Sequence, residues 1–189
     1  MIYLYYPFDD GTGVDTLKNL VRGVGHRMVP ADGDIRSPAI GELFCDNGSC
    51  PATLNAAGDD DEIYIIGHSY KSFKVLGDAN KGVIDQSEIV DRLRRCGLRK
   101  VAKCRINVYA CYSGRTADNQ RSLASYIATS LRTEGYACWE NVYGYTKKVL
   151  NKTKMVDGNF EIHVESDRNT WSPLAWFPFV FVEARPHID

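Results

Sequence analysis

At 189 residues, with 44% hydrophobic and 25% charged side chains, the chain has the make-up of one globular domain with a sizeable core. A formal net charge of -1 argues against nucleic acid or an anionic membrane surface as a partner. No apolar run approaches the ~20 residues that span a bilayer. The start, Met1-Ile2-Tyr3-Leu4-Tyr5-Tyr6, reads as a strand and lacks the basic opening of a signal peptide. The expectation is therefore a soluble, cytoplasmic protein, or one exported by a route that needs no signal peptide.

The first element is that strand, residues 2–7, expected in the middle of a sheet and ended by Pro7. A turn at Asp9–Gly13 leads into residues 14–24, where Val14, Leu17, Leu20, Val21 and Val24 make a helical stripe ended by Gly25. Residues 26–61 are broken by glycine and proline, with a short strand expected at Ile40–Phe44. Asp59-Asp60-Asp61 is a solvated loop; its spacing does not match a calcium-binding EF-hand. A second core strand follows at residues 62–67.

Residues 69–83 read as a loop or small hairpin. Asp85-Gln86-Ser87-Glu88 has the form of a capping box, with Ile84 and Ile89 placed as a hydrophobic staple, and Gly97 ends the helix. The next strand is expected at 105–110, parallel to 62–67 because a helix joins them. A second helix is expected over 119–134 with Gly135 after it, then a strand at Cys138–Tyr145. Residues 146–170 are polar and lysine-rich, with strand alternation at Phe160–Val164. The aromatic segment 171–182 closes the chain with a strand at Phe179–Val182 and adds a hairpin or edge strands.

Six cysteines are present: Cys45, Cys50, Cys96, Cys104, Cys111 and Cys138. The chain is too long to need a disulfide framework and the spacing is irregular, so a reduced state is expected. Cys45-Asp46-Asn47-Gly48-Ser49-Cys50 fits a metal knuckle or a small disulfide loop. No second Cys/His pair completes a zinc site, and neither metal nor cofactor is expected.

Two β-branched runs carry the chemistry. Glu62-Ile63-Tyr64-Ile65-Ile66-Gly67 delivers His68, and Arg105-Ile106-Asn107-Val108-Tyr109-Ala110 delivers Cys111. Continuous apolar runs are typical of strands buried on both faces of a parallel sheet. Ligands bind at the carboxyl ends of such strands. On neighbouring strands His68 and Cys111 emerge together, and imidazole beside thiol is the minimal apparatus for covalent acyl transfer. The backbone N–H groups of Ser69 and Cys111 are the candidate oxyanion donors. Gly67 is expected to let the chain bend before His68. Ser113 and Gly114 are expected to keep the approach to the thiol open, and the following helix to aim its positive end at it. Taken singly, a cysteine or histidine at a strand end is more often a packed core residue or a satisfied polar group. Their matched positions favour a site.

Ile65-Ile66-Gly67-His68-Ser69 and Val108-Tyr109-Ala110-Cys111 resemble the His-Gly and Ala-Cys motifs of the caspase-like (clan CD) cysteine peptidases. Cys111-Tyr112-Ser113-Gly114, Leu123-Ala124 and Val142-Tyr143-Gly144-Tyr145 look most like the bacterial, toxin-type branch. The resemblance covers residues 60–145. It implies a caspase-like α/β/α sandwich with a mostly parallel sheet, and a cysteine endopeptidase acting on protein or peptide substrates. It implies His68 and Cys111 as the catalytic dyad. Ser69 stands where the family has glycine and retains the N–H.

Two other readings compete. Gly67-His68-Ser69-Tyr70-Lys71 resembles the Gly-x-Ser-x-Gly elbow of α/β-hydrolases, which makes Ser69 an esterase nucleophile served by His163 or His187. The elbow needs a final glycine, where Lys71 stands, and a helix directly after the strand. A non-catalytic binding module on the same fold is the third reading, since fold alone does not confer activity.

Overall fold

The computed structural model describes residues 1–8, 40–44, 53–69, 74–78, 82–116, 121–146, 149–156, 159–164 and 181–183. In chain order these form β1 (Ile2–Tyr6), β2 (Ile40–Phe44), a 3₁₀ turn (Thr53–Ala56), β3 (Glu62–Ile66), β4 (Val75–Gly77), β5 (Val83–Asp85), α1 (Gln86–Arg95), β6 (Arg105–Tyr109), α2 (Leu123–Thr133), a second 3₁₀ turn (Ala137–Asn141), β7 (Val142–Tyr145), β8 (Val149–Val156), β9 (Asn159–Val164) and β10 (Phe181–Glu183).

Six strands make one sheet in the order β10-β7-β6-β3-β1-β2. Every pairing is parallel except that of β10 with β7. The protein is thus α/β with a mostly parallel sheet, as the apolar runs predict. The first strand lies inside the sheet, between β2 and β3. β3 beside it, and β6 beyond β3, carry Ile63, Ile65, Ile66, Ile106 and Val108, all fully buried. Each such side chain contributes about 1.5–3 kcal/mol by leaving water.

The β3–β6 crossover holds the β4–β5 hairpin and α1, and the β6–β7 crossover holds α2. The two helices pack on each other, and α2 also packs on β7. A Cβ built on Gly144 would meet the Ala124 Cβ of α2 at 2.8 Å, which identifies the helix-covered face. Register places Val108 opposite Gly144 and Ile65 opposite Val108, so these residues share that face. On the other face Tyr109 meets both Tyr64 and Tyr145 edge-on, at centroid distances of 6.3 and 5.3 Å. On this face the buried amide of Asn107 donates to Glu62 Oε2 at 3.1 Å, and the Tyr64 hydroxyl donates to the same oxygen at 3.0 Å.

Local signals fix the helix ends. Asp85 caps α1, its carboxylate accepting the Glu88 N–H at 2.9 Å, while Ile84 and Ile89 are both buried as the staple requires. Gly97 adopts φ +90° after α1, with Leu98 N–H donating to Leu93 O and Gly97 N–H to Arg94 O. Gly135, at φ +81°, repeats the pattern after α2, through Tyr136 N–H to Leu131 O and Gly135 N–H to Arg132 O. Both are Schellman caps, sealed by the buried pairs Leu93–Leu98 and Leu131–Tyr136.

Several expectations change. The second helix begins at Leu123, because Ser122 caps it by accepting the Ser125 N–H at 3.1 Å. The strand expected from Cys138 begins at Val142, because Ala137–Asn141 wind into a 3₁₀ turn. That turn is pinned by Ala137 N–H to Lys100 O and by Asn141 Nδ2 to Lys103 O, both at 2.7 Å. The lysine-rich stretch forms β8, which pairs antiparallel with β9 in a separate two-stranded sheet. The strand expected at Phe179–Val182 is found at Phe181–Glu183, on the sheet edge. The reduced state expected for the cysteines fails at Cys96. That residue is fully buried at the C-cap of α1 and is disulfide-bonded; cysteine spacing alone did not show it. The expected helix at 14–24, the turn at Asp9–Gly13, and Cys45, Cys50, Lys71 and His187 lie outside the described residues.

Candidate functional site

The β3–β6 register pairs Ile66 with Tyr109, and Gly67 N–H donates to Tyr109 O at 3.4 Å. The two chains therefore leave the sheet at one edge, a strand spacing of about 4.8 Å apart. Each then places its reactive residue two positions beyond that last pair. His68 and Cys111 are brought to the same edge, and both are partly open to solvent.

His68 is held through its backbone. Its N–H donates to Gly77 O at 2.7 Å and its carbonyl accepts the Gly77 N–H at 2.8 Å, an isolated antiparallel bridge to β4. The hairpin is pressed onto the end of β3 by Leu76, which is fully buried. A Cβ on Gly67 would run into the Leu76 side chain. Gly67 does not have positive φ, so the reason for glycine here is the close approach of the hairpin and not a sharp bend. Burial pushes the His68 imidazole below its ordinary value, partly opposed by the charge of Asp78. The imidazole is thus neutral and proton-accepting near pH 7. Among the described residues it makes no hydrogen bond.

Cys111 carries a thiol and is not disulfide-bonded. It begins a tight turn in which Ser113 N–H donates to Ala110 O at 3.3 Å. Tyr112, next to the thiol, is the one non-glycine at positive φ among the described residues, at +57°. Ser113 is fully buried. Its hydroxyl donates to Val108 O at 2.6 Å and accepts the Tyr145 N–H at 3.0 Å. Gly114 N–H donates to Tyr145 O at 2.8 Å. A Cβ on Gly114 would lie 2.6 Å from the Gly144 carbonyl, and one on Gly144 would lie 2.6 Å from Gly114 N. Ser113 and Gly114 thus have a structural role of their own. They weld the Cys111 turn to β7.

The N-terminus of α2 also meets this turn. Ala124 N–H donates to Ser113 O at 2.9 Å, so the positive end of the helix is spent on the turn's backbone. Of the candidate oxyanion donors, the Ser69 N–H makes no hydrogen bond among the described residues, and Ser69 does not have positive φ. The Cys111 N–H lies at the head of the turn. The Ser69 side chain is 6% exposed. Its strand continues into the bridge with β4 rather than into a helix, which removes the geometry an esterase elbow needs.

Sequence reasoning missed Asp78. It sits one residue past the bridge, its Oδ1 accepting the Gly82 N–H at 2.6 Å. The Gly77-Asp78 and Lys81-Gly82 residues signalled a hairpin, but not that Asp78 would come close enough to act on His68. Among the described residues no group of three or more His, Cys, Asp or Glu is arranged to hold a metal. None of the described helices is long and apolar enough to cross a membrane. No protein-family model matches the chain, and no curated protein is significantly similar to it.

Proposed function

We propose that the protein is a caspase-like cysteine endopeptidase with His68 and Cys111 as its catalytic dyad. The observation that carries this reading is the register of β3 and β6, which delivers a half-buried imidazole and a half-buried thiol to one sheet edge from neighbouring parallel strands. The resemblance of the Ile65–Ser69 and Val108–Cys111 motifs adds the family and its α/β/α sandwich.

In this reading the Cys111 sulfur attacks the peptide carbonyl and its proton passes to His68. The Ser69 N–H, with that of Cys111, holds the oxyanion. His68 then gives the proton to the departing amine, and water hydrolyses the thioester. Substrate brings the imidazole a hydrogen-bond partner, as is common for sites that tighten only when occupied. The substrate is protein or peptide.

Two assays test the proposal. Iodoacetamide near neutral pH is expected to label Cys111 well ahead of Cys104 and Cys138, which are fully buried. A mixed peptide library is expected to be cleaved by the wild type and not by Cys111→Ala. Retained cleavage in that variant refutes the dyad. A folded wild type that cleaves nothing and shows no preferential labelling leaves a binding module instead.

A further inference from the structure

The register of β3 and β6 stops at Ile66 and Tyr109, two positions short of His68 and Cys111. Beyond it each residue is held by a different element. The backbone of His68 is bridged to Gly77 of β4. The turn that Cys111 opens is braced by α2, whose Ala124 N–H donates to Ser113 O. The spacing between imidazole and thiol therefore depends on how the β4–β5 hairpin sits against the first turn of α2.

A side-chain contact joins those two elements. Lys74 stands one residue before β4, and its Nζ lies 4.4 Å from the centroid of the Tyr126 ring. That is well inside the ~6 Å reach of a cation–π interaction. Tyr126 belongs to the first turn of α2, where its N–H donates to Ser122 O at 3.0 Å. A continuous path thus runs outside the sheet from His68 through β4, Lys74, Tyr126 and α2 to the Cys111 turn. We propose that Lys74 is a positioning residue. Its ammonium on the Tyr126 ring straps the hairpin that holds His68 to the helix that braces Cys111, and so sets the imidazole against the thiol. The proposal rests on the reading of His68 and Cys111 as a working dyad. Lys74 is exposed, so the contact is of the surface kind, equivalent to a factor of about 2–5 in an equilibrium.

The test is the rate of iodoacetamide labelling at Cys111 near neutral pH. It is followed by mass spectrometry of the Cys111 peptide from the full-length protein, and it needs no known substrate. Lys74→Met and Tyr126→Leu are each expected to slow labelling by about two- to fivefold. Lys74→Arg keeps the cation and Tyr126→Phe keeps the ring, and both are expected to label at the wild-type rate. His68→Ala is expected to slow labelling at least as much. Adding Lys74→Met to it is expected to change nothing more, because the strap then has no imidazole to position. Wild-type labelling in Lys74→Met or in Tyr126→Leu overturns the proposal, as does slow labelling in Lys74→Arg. Equal slowing by Lys74→Met with and without His68 also overturns it, since the ammonium would then act on the thiol without the imidazole. His68→Ala labelled as fast as the wild type overturns the dyad itself, and the strap with it.

Discussion

Tyr112 is a bulky residue in the left-handed region, where an L-residue other than glycine or asparagine costs about 1–2 kcal/mol. That cost sits beside the thiol and is held in place by the Ser113 and Gly114 bonds to β7. A β-branched residue tolerates this conformation worst. Tyr112→Val is expected to be less stable than Tyr112→Gly by about 1 kcal/mol or more in urea unfolding, although glycine removes the larger side chain. Equal stabilities remove the strain. His68 makes a second prediction. Burial makes its protonation harder in the fold than in the unfolded chain, so the unfolded chain takes up the proton first as pH falls below about 6.5. Stability from this group is complete above that pH and is lost as acidity rises through it. Asp78 opposes the shift. Asp78→Asn is expected to move the His68 titration, followed by NMR, to still lower pH, and an unmoved titration separates the two residues.

Between residues and the sheet lies the β4–β5 hairpin, which holds His68 through the Gly77 bridge and the seat of Leu76 on Gly67. Gly67→Ala is expected to displace Leu76 and cost about 1–3 kcal/mol, the usual range for overpacking. Because the displaced element carries the bridge, amide exchange at Gly77 is expected to rise by more than that at Ile65 in the middle of β3. A uniform rise across both strands excludes a local role for the hairpin. This element was half legible. The Asp85 cap, the Ile84–Ile89 staple and the Gly97 stop are signals between near neighbours, and they hold in the structure. The seat of Leu76 on Gly67 is a contact between residues that share no periodicity. The start of α2 was placed too early, at 119: its first apolar residue is Leu123, and the Ser122 hydroxyl caps the helix there.

Across the whole molecule, the parallel core was legible because strands buried on both faces read as apolar runs, and His68 and Cys111 were legible because they end two such runs. Strand order was not, since it depends on which edges meet. The antiparallel seat of β10 beside β7, and the disulfide at Cys96, are of that kind. β10 covers an otherwise open strand edge, and open edges recruit other chains. A chain ending at Val180 is expected to self-associate as concentration rises in size-exclusion chromatography. A monomeric truncated protein would mean that β7 tolerates exposure.

The contact of Gly114 with Gly144 bears on how this chain is free to diverge. Each position, given a methyl, strikes main-chain atoms of the other, so no compensating change at the partner restores room. The two must persist together or be abandoned together with the turn they join. Among distant descendants of this sequence, loss of that pair should therefore coincide with a rebuilt segment around Cys111, and not with a simple exchange of side chains.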